Sequence, residues 1–251
     1  MEVHVHSHTV PIAIGRKRFK HYLWEFLMLF LAVFCGFLAE NIREHKIDKD
    51  REKQFIGSLI SDLKDDTLII TKHMASLEKS IILLDSLSML LDSPQLARKN
   101  GEPIYYTSRL GNRTAPLVNN SRTFDQLKNS GGFRLISKPE TSNRIMNYYA
   151  QLPELRMVEE IFRSENEAYK AVASRIIDPA IYRRQISPDG SVIRIGGNPA
   201  LMSYDAPLLK QMGFYAVQMN GSREGMIPLL QTMKQSAGEL LKYLQDTYHL
   251  E

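Results

Sequence analysis

The sequence predicts a mainly α chain. One N-terminal transmembrane helix is followed by an irregular antiparallel helical bundle with a small β-hairpin. Three observations carry this reading. Residues 22–42 form one long apolar stretch, YLWEFLMLFLAVFCGFLAENI. An apolar row with a seven-residue period follows it. Further amphipathic stripes come after residue 139, joined by short turn-forming segments. The domain reading is a flexible cytoplasmic tail over 1–21, the membrane helix over 22–42 and a helical domain over 43–251, opening on a stalk-like first helix.

The membrane helix is read from length and polarity. Residues 26–39 carry no charged or strongly polar side chain, and Tyr22, Leu23 and Trp24 extend the run, interrupted only by Glu25. Eighteen residues at 1.5 Å each span about 27 Å, close to the hydrocarbon thickness of a bilayer. Tyr22 and Trp24 stand where an aromatic belt lies. Glu25 is about one turn inside the basic end, where His21, four residues earlier, can pair with it. It reads as an interfacial carboxylate, with a proton-linked or partner-helix contact as the functional alternative. No small-x-small pair marks a signal-peptidase site, so the segment reads as an uncleaved anchor. Arg16, Lys17, Arg18 and Lys20 form a compact basic flank on a short tail, whereas the charges after residue 42 open a large domain. That asymmetry places the N-terminus in the cytoplasm and the bulk of the chain outside it.

Composition narrows the function classes. The 251 residues allow one further domain besides the anchor, and 43% hydrophobic content supplies a core. With 32 Lys and Arg against 28 Asp and Glu, a net charge of +4 gives no electrostatic case for nucleic acid. A single cysteine excludes an internal disulfide and a multi-cysteine metal site.

Taken in order, the tail carries His4, His6 and His8 on alternate positions, one side of an extended strand. Imidazoles there can hold zinc, copper or nickel weakly, but no fourth ligand or scaffold accompanies them, and a flexible tail is the plainer reading. The run ENIREHKIDKDREK has mixed charge at helical spacing and reads as a solvated helical stalk. Next, Ile56, Leu63, Ile70, Leu77, Leu84 and Leu91 recur every seven residues, with Leu59 and Leu87 in companion positions. Asp66, His73 and Ser80 occupy that companion row in the middle. A dry two-stranded coil tolerates such a row poorly, so the helix is expected to pack on the chain's own later helices, with a homo-oligomer as the alternative. His73 reads as a hydrogen-bonded core residue rather than a ligand.

Ser93-Pro94 should end this helix. Residues 95–120, with Gly101, Pro103, Gly111 and Pro116, read as a loop containing a short strand at 104–107. Ser121 caps a short helix that Gly131 or Gly132 ends. Ser137 with Glu140 makes a capping box for the next helix, which Pro153 kinks or splits. Pro188-Asp189-Gly190, flanked by alternating residues such as Val192 to Ile195, reads as the hairpin. Asp205 caps a helix to about Met219. Gly221 and Ser222 separate it from a last helix with Leu230, Met233, Ala237, Leu240, Leu244 and Tyr248 on one face.

Two stretches carry a resemblance. HYLWEFLMLFLAVFCGFLAENIREHKIDKDREKQFIGSLISDLKDD resembles the start of an uncharacterised family of single-pass bacterial membrane proteins, a domain of unknown function. The histidine-bearing tail and FDQLKNSGGFRLISKPE are similar to it too. The resemblance implies an inner-membrane protein with one anchor and a helical domain. It brings no catalytic residues.

Motifs that carry chemistry are missing from the sequence. It has no HExxH, no Glu-x-x-His, no Gly-x-Ser-x-Gly and no Gly-x-Gly-x-x-Gly. Cys35 lies within the apolar span, a poor place for a nucleophile. Glu159 and Glu160 point about 100° apart on a helix, wrong for a carboxylate pair. Arg183-Arg184 can meet a phosphate or an anionic headgroup, but also reads as a solvated turn. No catalytic residue, cofactor or metal is therefore expected. The reading is a membrane-anchored, non-enzymatic interaction or scaffolding protein of the bacterial envelope, with the lipid bilayer and an unknown protein as partners. The alternative is an extracytoplasmic ligand or stress sensor with a pocket near 95–120 and 183–200. An enzyme is the third class.

Overall fold

The computed structural model describes residues 15–113 and 115–250. His4, His6 and His8 lie outside the described residues. Eight helices are formed there: α1 (Gly15–Leu90), α2 (Pro94–Lys99), α3 (Gly101–Gly111), α4 (Arg122–Asn129), α5 (Pro139–Tyr149), α6 (Leu152–Ala173), α7 (Pro179–Arg184) and α8 (Ala206–Tyr248), with a 3-10 turn at Gly132–Leu135. The chain divides into two compact units, one ending at Lys53 and one starting at Gln54.

The first unit contains a helical stretch long and apolar enough to cross a membrane. Its most apolar 18-residue window has a mean hydropathy of 2.0 and buries none of its residues in protein. Phe26, Phe30 and Phe34 stack along one face, with ring centroids 6.3 and 5.9 Å apart. His21 Nε2 lies 3.3 Å from Glu25 Oε1, one helical turn away. Cys35 is exposed on the same apolar stretch.

The second unit is organised by two stripes. On α1, Ile56, Leu59, Leu63, Asp66, Ile70, His73, Leu77, Ser80, Leu84 and Leu87, with Leu91 in the turn after it, alternate steps of three and four, and all are buried. On α8, Leu209, Met212, Ala216, Met219, Arg223, Met226, Leu230, Met233, Ala237, Leu240 and Leu244 do the same. This spacing keeps one seam facing a partner helix. The helices run antiparallel. Leu84, Leu87 and Leu91 share a core with Leu208 to Met219, and Ile56 to Leu77 share one with Met226 to Leu244. α6 also runs antiparallel to α8, since Gln151 bonds Ser236 at 3.1 Å while Glu165 accepts from Ser222 at 2.6 Å.

The break expected at Gly221 and Ser222 is absent, and α8 is one helix of 43 residues with Pro228 inside it. A buried Leu or Met contributes about 1.5–3 kcal/mol, whereas an interior Gly costs about 1 and an interior Pro about 3. An uninterrupted stripe on both sides of residue 221 outweighs those costs.

The polar row of α1 receives the segment that returns from α3. Ser80 Oγ donates to Gly111 O at 2.5 Å. Asp66 accepts from the Asn120 N–H at 2.6 Å and from the Tyr148 hydroxyl at 2.7 Å. Asp62 accepts from the Thr123 N–H at 3.2 Å. Gly111, Asn120 and Thr123 thus meet α1 in the direction opposite to it, and within the polar row Asp66 and Ser80 act as anchors for the returning chain.

Other expectations need correction. Residues 94–99 and 101–111 are helical, not a loop with a strand. Ser93 does not merely follow α1; its hydroxyl caps α2 by accepting from Leu96 N–H. Ile104, Tyr105 and Ser108 are buried at helical spacing, and a run this short is ambiguous between periods of 2 and 3.6 in sequence alone. Gly101 is required by a close approach: a Cβ there would stand 1.9 Å from Pro199 O. α5 begins after Lys138 without a side-chain cap, so Ser137 is not its N-cap. Pro153 does split the stripe, sitting in the first turn of α6.

The β-hairpin is not formed. No strand exists among the described residues, and the Pro188-Asp189-Gly190 turn leaves only an isolated antiparallel bridge between Ile186 and Val192. Gly190 adopts φ 82° and its N–H reaches Ser187 O at 2.9 Å, so the turn itself is made. The flanking chain is used elsewhere. Arg194 leaves to pair with Glu102 at 2.7 Å, and Gly196 and Gly197, both left-handed, carry the chain over the start of α3. There Asn198 Oδ1 accepts from Gly101 N–H at 2.7 Å and Ala200 O accepts from the Tyr105 hydroxyl at 2.9 Å.

Candidate functional site

The crossing of α3 over α6 and α7 leaves a pocket of about 950 Å³, partly open to solvent. α3 supplies Ser108 and Arg109, with Asn112 and Arg113 just beyond its end. α6 supplies Asn166, Tyr169, Lys170 and Ala173. Ile177, Pro179 and Tyr182 come from the turn into α7 and from α7 itself. α7 is set by Asp178, whose carboxylate accepts from Ala180 N–H at 2.8 Å, and by the Tyr105 hydroxyl, which accepts from Asp178 N–H at 3.0 Å.

Arg109 dominates the electrostatics. Only 7% of it is exposed. Its guanidinium carbon lies 3.4 Å from the centroid of the Tyr182 ring. Nε donates to Gln185 Oε1 at 3.2 Å and Nη2 donates to Tyr182 O. No carboxylate pairs with it among the described residues. Burial lowers its pKa, Tyr182 opposes that shift and the nearby Arg113 adds to it. An arginine nevertheless stays charged at neutral pH. Arg113 is exposed and has no ion pair among the described residues, while Lys170 pairs with Glu167 at 3.0 Å. The described lining therefore holds three cations and no carboxylate.

The remaining polar groups are fixed or waiting. The Tyr169 hydroxyl donates to Ser108 O at 3.3 Å. Burial pushes the phenols of Tyr169 and Tyr182 up. Asn166 Oδ1 and the Nε2 of the fully buried Gln185 have no partner. Raised phenols stay protonated and a lowered guanidinium stays charged, so none of these groups exchanges a proton near neutrality. The described lining offers no carboxylate, imidazole or thiol as a general base or nucleophile. The arrangement can bind and orient a molecule.

The residues singled out in sequence lie elsewhere. Arg183 and Arg184 are exposed at the end of α7; their neighbours Tyr182 and Gln185 hold Arg109. Glu159 accepts from Leu117 N–H at 2.5 Å, while Glu160 pairs with Arg163 at 3.0 Å, so the two carboxylates serve separate tasks. His73 is buried with Nε2 unpartnered, and burial lowers its pKa against the pull of Glu159. His21, Glu25 and Cys35 belong to the apolar helical stretch. No group of three or more metal-ligating side chains occurs among the described residues. Arg109 escaped the sequence reading because its segment was expected to be a loop. The usable signal was Arg109 and Arg113 four residues apart with no acid between them. No family model matches the chain, and comparison with curated proteins and with solved structures finds no match.

Proposed function

We propose that this is a single-pass membrane protein of the bacterial envelope whose helical domain binds a small ligand without transforming it. The N-terminus is cytoplasmic and the domain periplasmic. The apolar window near the N-terminus and its compact basic flank support the anchor and its direction. The pocket between α3, α6 and α7 carries the binding reading. Its volume falls in the range of small-molecule sites, its polar groups converge, and its described lining holds no carboxylate, imidazole or thiol. A ligand sensor fits this geometry better than a scaffold does.

The test is a fluorinated fragment library of mixed charge, screened by 19F relaxation against the full chain in lipid nanodiscs. Fragments that bind the natural chain and are lost with Ala173→Phe are expected. A screen without one fragment dependent on Ala173 would remove the ligand reading.

The interaction reading draws on a different feature, the exposed side chains of Met89, Leu96, Phe214 and Val217. A photocrosslinker placed at position 214 in cells tests it. A discrete crosslinked band supports it, and no band removes it.

A further inference from the structure

We infer that the pocket takes an anionic amphiphile, a molecule with a phosphate or carboxylate head on an apolar body. This rests on the ligand-binding reading above and adds the chemical class. Arg109 is buried, charged and without a carboxylate partner among the described residues. Burying a cation without a counter-charge is costly, and a second cation, Arg113, adds to the cost. An anion brought by a ligand relieves both. The guanidinium is also oriented in advance. Tyr182 stacks on its face, and Gln185 and Tyr182 O hold two of its nitrogens, so its remaining donors meet a head group with little ordering left to do.

The rest of the pocket argues for a body behind the head. At about 950 Å³ it is far larger than a bare phosphate needs. Ala173, Ile177, Pro179 and the ring of Tyr169 supply an apolar wall. Asn166 Oδ1, an acceptor without a partner, suits a hydroxyl or amide N–H on the same molecule. A phosphate head can come from a lipid or from a soluble metabolite, and both present the same chemistry to Arg109 and Arg113.

The test titrates octyl phosphate, octanoate, octanol and inorganic phosphate into the full chain in neutral-lipid nanodiscs, by calorimetry with empty nanodiscs as the blank. Octyl phosphate and octanoate are expected to bind at least about tenfold tighter than octanol, a difference of about 1.4 kcal/mol. Inorganic phosphate alone should bind far more weakly than octyl phosphate. Arg113→Gln, at an exposed position, should weaken both anions several-fold and leave octanol unchanged. Arg109→Gln should abolish the preference. Octanol binding as well as octyl phosphate, or Arg113→Gln without effect on either anion, overturns the anionic class while leaving a ligand pocket in place. Inorganic phosphate binding as tightly as octyl phosphate overturns the amphiphile. If Ala173→Phe changes no affinity, the pocket reading falls with it. Competition with dihexanoyl phosphatidic acid separates the sources: stronger binding than octyl phosphate assigns a lipid, weaker binding a soluble molecule, and both support the class.

Discussion

Asp66 and Arg109 are both charged residues buried on helices of one unit, and their surroundings differ in kind. Asp66 accepts from Asn120 N–H and from the Tyr148 hydroxyl, so its carboxylate holds a crossing segment and α5 onto α1. Arg109 has a glutamine, a carbonyl and an aromatic face, but no opposite charge among the described residues. The first charge is spent within the fold. The second is held in shape by neutral groups, and its neutralisation is left to something outside the chain. A buried charge is a functional signal when its neighbours orient it without cancelling it.

The largest effect that sharpens this contrast is at Asp66. Asp66→Ala leaves a buried hydroxyl and a half-buried N–H without an acceptor and should cost about 3 kcal/mol in urea denaturation of the full chain. A loss below about 1 kcal/mol would mean that the chain at Asn120 is not held by this carboxylate. Arg109→Met should cost at most about 1 kcal/mol in the same measurement, because relief of an unpaired buried charge offsets the lost hydrogen bonds. A cost as large as that of Asp66→Ala would make Arg109 a structural residue.

Acidity sharpens the comparison further. Burial raises the pKa of Asp66 despite its two donors. The folded state therefore binds the Asp66 proton more tightly than the unfolded chain does. Its contribution is fully present below the unfolded value of about 3.9 and drains away as pH rises through the folded value. Asp66→Asn should flatten that limb. His73 works in the opposite sense, since burial lowers its pKa. Its contribution is present above the unfolded value of about 6.5 and is lost as pH falls through the folded one. His73→Met should flatten the acid limb and, by removing the unpartnered Nε2, raise stability by about 1 kcal/mol at neutral pH. The smallest effect belongs to a charge pair in water. Lys210 and Asp92 meet at 2.5 Å with both side chains largely exposed, and Lys210→Ala should change stability by less than about 0.5 kcal/mol.

The sequence made one of these two charges legible and hid the other. The row of Asp66, His73 and Ser80 stood out because the apolar repeat around it was regular, and packing on the chain's own helices followed from its polarity. The partners of that row could not be read, since Asn120 and Tyr148 lie far along the chain. The continuity of α8 was hidden by Gly221, Ser222 and Pro228, whose local preference for a break loses to a stripe completed by Met219, Arg223 and Met226. The hairpin was inferred from a real turn, but its strands needed residues that Glu102 and Gly101 draw to α3. Arg109 was masked for a related reason. Gly101, Pro103 and Gly111 look like loop punctuation, yet the first two start α3 and Gly111 fits against Leu84.

The central claim is that Arg109 awaits an anion carried by a ligand. Urea denaturation of the full chain in nanodiscs, with octyl phosphate at about a hundred times its dissociation constant, tests it most directly. The natural chain should gain about 2.7 kcal/mol, and Arg109→Gln at the same concentration about 1.4 kcal/mol or less. Equal gains in both chains, or an equal gain from octanol, would contradict the account.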